Sequence, residues 1–166
     1  MNTRLFSNIV SIAFLLFICI NVFGQEHRTE EKNHDERNKI SEKDLVAINK
    51  VIDALEHGYE INDLESVMDT FADNAVLLEG RGINNGKNAI RDDHLAREFK
   101  SMTFPIFKSK DRVIRGSGTI AYVYEIITVQ IKRNSSDEKN PASDRRAVYV
   151  LEKQRDNSWK IVLWRI

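Results

Sequence analysis

Three residues combine reactive side chains with informative positions: Glu125, His94 and Glu79. Glu125 stands inside a run rich in Ile, Val, Thr and Tyr. By the alternation of a strand it shares a face with Ala121, Val123, Ile127 and Val129. A lone charge on an inner face is strongly disfavoured. Glu125 must therefore be paired, hold its proton, or meet water in a pocket. A pocket carboxylate that holds its proton suits general acid–base work. Turned outward, the same face would meet another subunit; turned inward, a structural arginine would neutralise the charge.

His94 follows Ile90 and precedes Glu98 in one i, i+4 row of a helix, at the margin of its apolar stripe. It is a candidate base or ligand; the plainer alternative is a hydrogen bond at a helix–sheet seam. Glu79 follows Leu77 on one strand face and can reach the same mouth. Converging, Glu79, His94 and Glu125 would move protons or hold a divalent metal. The expected catalytic pair is Glu125 and His94, and the expected ligand contacts are Glu79, Phe99, Arg146 and Tyr122. Arg145 and Arg146 straddle two faces of a strand, so one points inward, toward an anionic ligand or toward Glu125 itself. Tyr122 and Tyr124 share the opposite face with Ile120 and Ile126, as a stacking platform or a subunit interface. His27 and His34 stand amid mixed charges and read as solvated. No cofactor and no metal centre are expected.

Helices must position His94, and strands Glu125. Ser41 can cap a helix, with Asp44 three residues on and Ile40 placed to staple against Leu45. Leu45, Ile48, Ile52 and Leu55 keep helical spacing, and Gly58 is the expected stop. Asn62 or Asp63 caps a second, shorter helix with Leu64, Val67, Met68 and Phe71 on one face. Ala75 to Leu78 is a short strand, and Gly80, Gly82 and Gly86 mark a loop. A third helix is expected from Lys87 to Ser101, with Leu95, Phe99 and Met102 as its apolar row. Strands follow from Phe104 to Arg115 and from Thr119 to Arg133. After a polar loop, Ala147 to Arg155 and Ser158 to Ile166 form a hairpin around Asp156-Asn157. Helices first and antiparallel strands last make an α+β domain, with three helices packed in a curved antiparallel sheet. Twist curls such a sheet into a cone, a cystatin-like roll with a pocket inside.

Residues 1–24 have the layout of a secretory signal: a short start with Arg4, then an almost wholly apolar run from Leu5 to Phe23. Val22-Phe23-Gly24 makes cleavage before Gln25 reasonable, although the run is nearly long enough to span a bilayer. The chain is expected to be exported, periplasmic or secreted, with no stable membrane span after cleavage. Cys19, the only cysteine, follows the bulky Ile18, which argues against a lipoprotein signal, and it leaves with the signal. A thiol-free domain of about 140 residues then remains. Residues 25–40 form a charged linker whose stretch Gln25 to Lys39 has nothing apolar to bury, so disorder is expected. Lys and Arg total 25, matching 25 Asp and Glu, without a basic stripe. The electrostatic footprint of nucleic-acid binding is missing.

The stretches Phe71-Ala72-Asp73-Asn74-Ala75-Val76-Leu77, Gly86-Lys87-Asn88-Ala89-Ile90, Gly118-Thr119-Ile120-Ala121-Tyr122-Val123, Val150-Leu151-Glu152-Lys153-Gln154 and Trp159-Lys160-Ile161-Val162 occur in a particular order. That order resembles the nuclear transport factor 2-like superfamily, closest to its SnoaL-like, ketosteroid isomerase-related domains, over residues 41–166. The resemblance implies a pocketed fold that hosts isomerases, dehydratases, cyclases, carriers and association domains, so fold alone does not give activity. Ketosteroid isomerases use a pocket aspartate base with a tyrosine and a protonated aspartate, a set that cannot be placed here. Some related secreted domains carry histidines on the last strand, where this chain has Leu163 and Arg165. The leading expectation is an exported domain binding a small molecule in a largely apolar pocket, as a homodimer. The alternatives are an acid–base enzyme of isomerase or hydro-lyase type using Glu125 and His94, and an association domain without catalysis.

Overall fold

The computed structural model describes residues 39–136 and 138–166. The proposed signal and most of the charged linker lie outside these residues. Helix α1 (Glu42–Glu60) starts where Ser41 accepts a hydrogen bond from the Asp44 amide, at 3.1 Å. Asp44 does more than complete the cap. Its carboxylate accepts from Trp159 Nε1 at 2.9 Å and pairs with Lys153 at 2.8 Å, fixing the helix start to the far end of the sheet. Lys153, Trp159 and Ser41 together hold the Asp44 carboxyl down, at about 2. Ile40 is already buried in the core, so the compact unit begins one residue before the expected boundary.

The helix does not stop at Gly58. It runs on to Glu60, and the left-handed residue after it is Asn62, with φ of 58°. Gly58 serves packing instead: a Cβ there would meet Val67 Cγ2 at 2.7 Å, so only glycine lets α2 (Leu64–Met68) approach this closely. Asp63 caps α2 by accepting from the Glu65 and Ser66 amides.

Strand β1 (Phe71–Glu79) is longer than expected, and the glycine-rich segment holds a second short strand, β2 (Gly82–Asn85). The third helical segment covers the expected residues in three pieces: α3 (Lys87–Ala89), a π-helical stretch (Ile90–Leu95) and α4 (Ala96–Ser101). A π turn closes i→i+5 rather than i→i+4 hydrogen bonds. It brings Ile90 and Leu95, five apart, round to the same side, and both are fully buried.

Strands β3 (Met102–Ser117), β4 (Ile120–Arg133), β5 (Ser143–Lys153) and β6 (Trp159–Arg165) complete one curved six-stranded sheet in the order β2-β1-β6-β5-β4-β3. The α+β class is as expected, but the sheet is mixed. β1 pairs parallel with β6, because the helices between β2 and β3 carry the chain across to the far edge. The inner face is filled by rings. Tyr59 stacks on Phe107 with centroids 4.2 Å apart and lies within 5.1 Å of Phe99 and 4.9 Å of Phe104. Trp164 joins Tyr59 to Tyr149, at 5.8 and 5.9 Å. Trp159 and Ile161 are core, as expected. Among the described residues no helix is long and apolar enough to cross a membrane.

Candidate functional site

The inner face carries two polar clusters. The first surrounds Glu125, which is fully buried on β4. Its partner is Arg112 of β3, whose Nε and Nη2 donate to Glu125 Oε1 at 3.1 and 3.0 Å. The same guanidinium reaches helix α1: Nη1 donates to Asn49 at 2.9 Å and Asp53 at 2.7 Å, and Nη2 to Glu56 at 2.5 Å. A register shift between Ser109 and Asp111 bulges β3 there. The Ser109 amide turns from the ladder and donates to Glu56 Oε2 at 3.2 Å. Burial works against the charge on Arg112, but Asp53, Glu125 and Glu56 outweigh it and hold the proton on. Glu56 is pushed up to about 8, first by burial and then by Glu125 beside it. This cluster ties α1 to the sheet. Of the two inward readings of Glu125, the paired one describes what is seen, and the arginine is Arg112.

The second cluster lies at the other end of the aromatic layer. His94 Nε2 is 2.6 Å from Glu79 Oε2 and 3.9 Å from Glu98 Oε1. Glu79 ends β1, His94 is the last residue but one of the π-helical stretch, and Glu98 is one turn on in α4. All three side chains are partly shielded, at 32 %, 21 % and 23 % exposure. Burial, then the charge of Glu79, raises the Glu98 carboxyl to about 7, while His94 and Arg145 pull it back. Tyr59 is pushed far up, first by burial and then by Glu98 and Glu79. A cleft of about 240 Å³ opens beside the cluster, lined by His94, Arg97, Glu98, Ser101 and Met102.

The structure thus brings Glu79 and His94 together and sets Glu125 in a different cluster. Glu98 takes the third place. Tyr149 lies diagonal to Glu125 across β4 and β5, and Tyr59 packs on Phe99, the residue after Glu98, so the aromatic layer lies between the two clusters. Phe99 is buried among Tyr59 and Phe104, filling the interior, and does not line the cleft; Glu79 stands behind His94 and is not part of the lining either. Arg146, expected at the ligand, instead pairs across the sheet with Ile126 on the outer face and is exposed. Arg145 is the inward one, in register with the buried Ile127 and close enough to act on Glu98. Tyr122 is 49 % exposed on the outer face, away from the cleft. The aromatic rings fill the interior where the sequence predicts a pocket; the cleft is instead open to solvent, and the surface its lining residues turn to it is mostly apolar although four of the five are polar or charged.

A SnoaL-like domain model matches residues 48–166, and the chain belongs to that family. No functionally curated protein matches the sequence. Solved structures share the fold. A ketosteroid isomerase-like protein from Erwinia carotovora atroseptica is 19% identical with a TM-score of 0.66, covering 75% of this chain and 95% of its own. A nuclear transport factor 2-like superfamily protein from Salmonella enterica serovar Typhimurium is 17% identical with a TM-score of 0.63, covering 71% and 85%. A cystatin-like-fold protein of unknown function from Nostoc punctiforme is 17% identical with a TM-score of 0.61, covering 77% and 92%. At these identities the likeness is one of fold.

Proposed function

We propose that this chain is an exported small-molecule-binding domain whose ligand meets Glu79, His94 and Glu98 at the cleft. The observation that carries this reading is the 2.6 Å Glu79–His94 contact with Glu98 beside it, next to an open cleft. A carboxylate-held imidazole and a second carboxylate offer both donors and acceptors to a ligand polar group. Met102 offers an apolar wall. Export rests on the apolar run from Leu5 to Phe23.

Acid–base catalysis is the second reading, favoured by the same contact, because a base oriented by a third group is the usual form of such sites. Its residues are His94 and Glu98, in place of the Glu125–His94 pair. A library of small carbonyl and hydroxy compounds, screened by saturation-transfer NMR, tests the binding site. Hits should weaken at least tenfold in His94→Ala, about 1.4 kcal/mol, and persist in Tyr122→Ala. The opposite ranking would place the ligand on the outer face.

Self-association is proposed for that outer face. Val113, Ile120, Tyr122 and Tyr124 are exposed on the adjacent strands β3 and β4, with Val113 directly opposite Tyr124. A second copy would cover this apolar surface. Sedimentation equilibrium should then give a dimer that Tyr124→Lys dissociates, and a monomeric wild type removes the proposal.

A further inference from the structure

Glu79, His94 and Glu98 also form a coordination set. One ligand atom from each lies within 4.8 Å of the others. Zinc bonds of about 2.0–2.2 Å in tetrahedral array put neighbouring ligand atoms roughly 3.3–3.5 Å apart. The two distances from His94 Nε2, 2.6 and 3.9 Å, fall on either side of that spacing. Lengthening the first and shortening the second, each by less than about 1 Å, would admit an ion. Side-chain rotation alone supplies a shift of that size.

Charge favours the ion. Two carboxylates face one imidazole that can be neutral, so a dication would balance the set. Arg145 acts on Glu98 from β5, yet makes no ion pair with it within the reach of direct contact. The scaffold is independent evidence. Glu79 comes from a strand end and the other two from a helix. The π-helical stretch ends at the residue after His94, and π turns recur at functional sites. One side of the set faces the cleft. Three protein ligands with an open fourth position is the pattern of reactive metal sites, whereas structural sites are closed.

We propose that Glu79, His94 and Glu98 bind one divalent transition-metal cation, with its open position facing the cleft beside Arg97, Ser101 and Met102. Mixed imidazole and carboxylate donors suit zinc and its first-row neighbours better than calcium. The inference rests on the cleft being the ligand site, where the ion would anchor a ligand oxygen.

The test is calorimetric titration of chelator-treated mature protein with Zn²⁺, in a His27→Ala/His34→Ala background that removes the histidines of the linker. One equivalent should bind, and His94→Ala and Glu79→Gln should each weaken it at least tenfold. Co²⁺ should give a visible absorption band that is lost in the same variants, with circular dichroism confirming that they fold. No binding at millimolar Zn²⁺, or binding that ignores both substitutions in folded protein, overturns the proposal. The fragment screen repeated in excess chelator separates the two claims. Fragment binding without zinc binding sinks the metal alone; zinc binding without any fragment binding sinks the ligand reading alone.

Discussion

Arg112→Ala should destabilise the domain by about 3–5 kcal/mol, because it leaves Glu125 buried without its cation. The guanidinium holds Glu125, Glu56, Asp53 and Asn49 at once, so its loss leaves only the Ser109–Glu56 hydrogen bond at this part of the α1–sheet seam. Thermal unfolding should show a midpoint lower by roughly 10 °C or more. Arg112→Lys should recover little, since an ammonium cannot serve this planar fork of acceptors. The double variant Arg112→Met/Glu125→Leu should recover much of the loss, as it removes the stranded charge as well. A loss below about 1 kcal/mol for Arg112→Ala would mean that the cluster is solvated and carries no seam.

Stability should also fall as pH rises from about 5 to above 8, through Glu56. Its carboxyl stands at about 8 in the folded chain against an ordinary 4.5. Between those values the folded state holds a proton that the unfolded state has released. The contribution is therefore complete below about 4.5 and is lost as pH climbs through about 8. At about 1.4 kcal/mol per unit the ceiling is near 5 kcal/mol. Arg112 pulls the other way and the charge is shared with Glu125, so roughly 2–3 kcal/mol is the expected change. Denaturant unfolding at pH 5, 7 and 9 measures it. Glu56→Gln keeps the shape without the proton, and its profile should be flatter by that amount. Parallel profiles for the two proteins would show that Glu56 ionises freely.

Helices and long strands were legible because their signals are local. Apolar spacing marked α1, the Ser41–Asp44 pair marked its start, a run rich in Ile, Val, Thr and Tyr marked β4, and the Asp156-Asn157 turn marked the β5–β6 hairpin. The parallel β1–β6 pairing was not legible, since it depends on where three helical pieces deliver the chain. Gly58 misled for a physical reason: a glycine can end a helix or let another helix approach, and only Val67 distinguishes the two. The site was half legible. Glu79 and His94 meet as their faces implied. Glu125 was rightly seen as a buried charge needing an answer, but the answer came from Arg112 within the edge strand β3. A signal for it was present in Asn49, Asp53 and Glu56, spaced four and three apart along one polar stripe of α1. Such a stripe beside an apolar face implies a cation opposite. Arg145 and Arg146 could not be told apart without the strand register, which a one-residue slip inverts.

The proposed ligand meets the chain at Glu79, His94 and Glu98. Chemical-shift mapping of ¹⁵N-labelled mature protein with the tightest fragment from the screen tests it most directly. The largest perturbations should fall on Glu79, His94, Arg97, Glu98, Ser101 and Met102, with Tyr122 and Tyr124 unmoved. Perturbations centred instead on the outer face around Tyr122, or spread without focus, would contradict it.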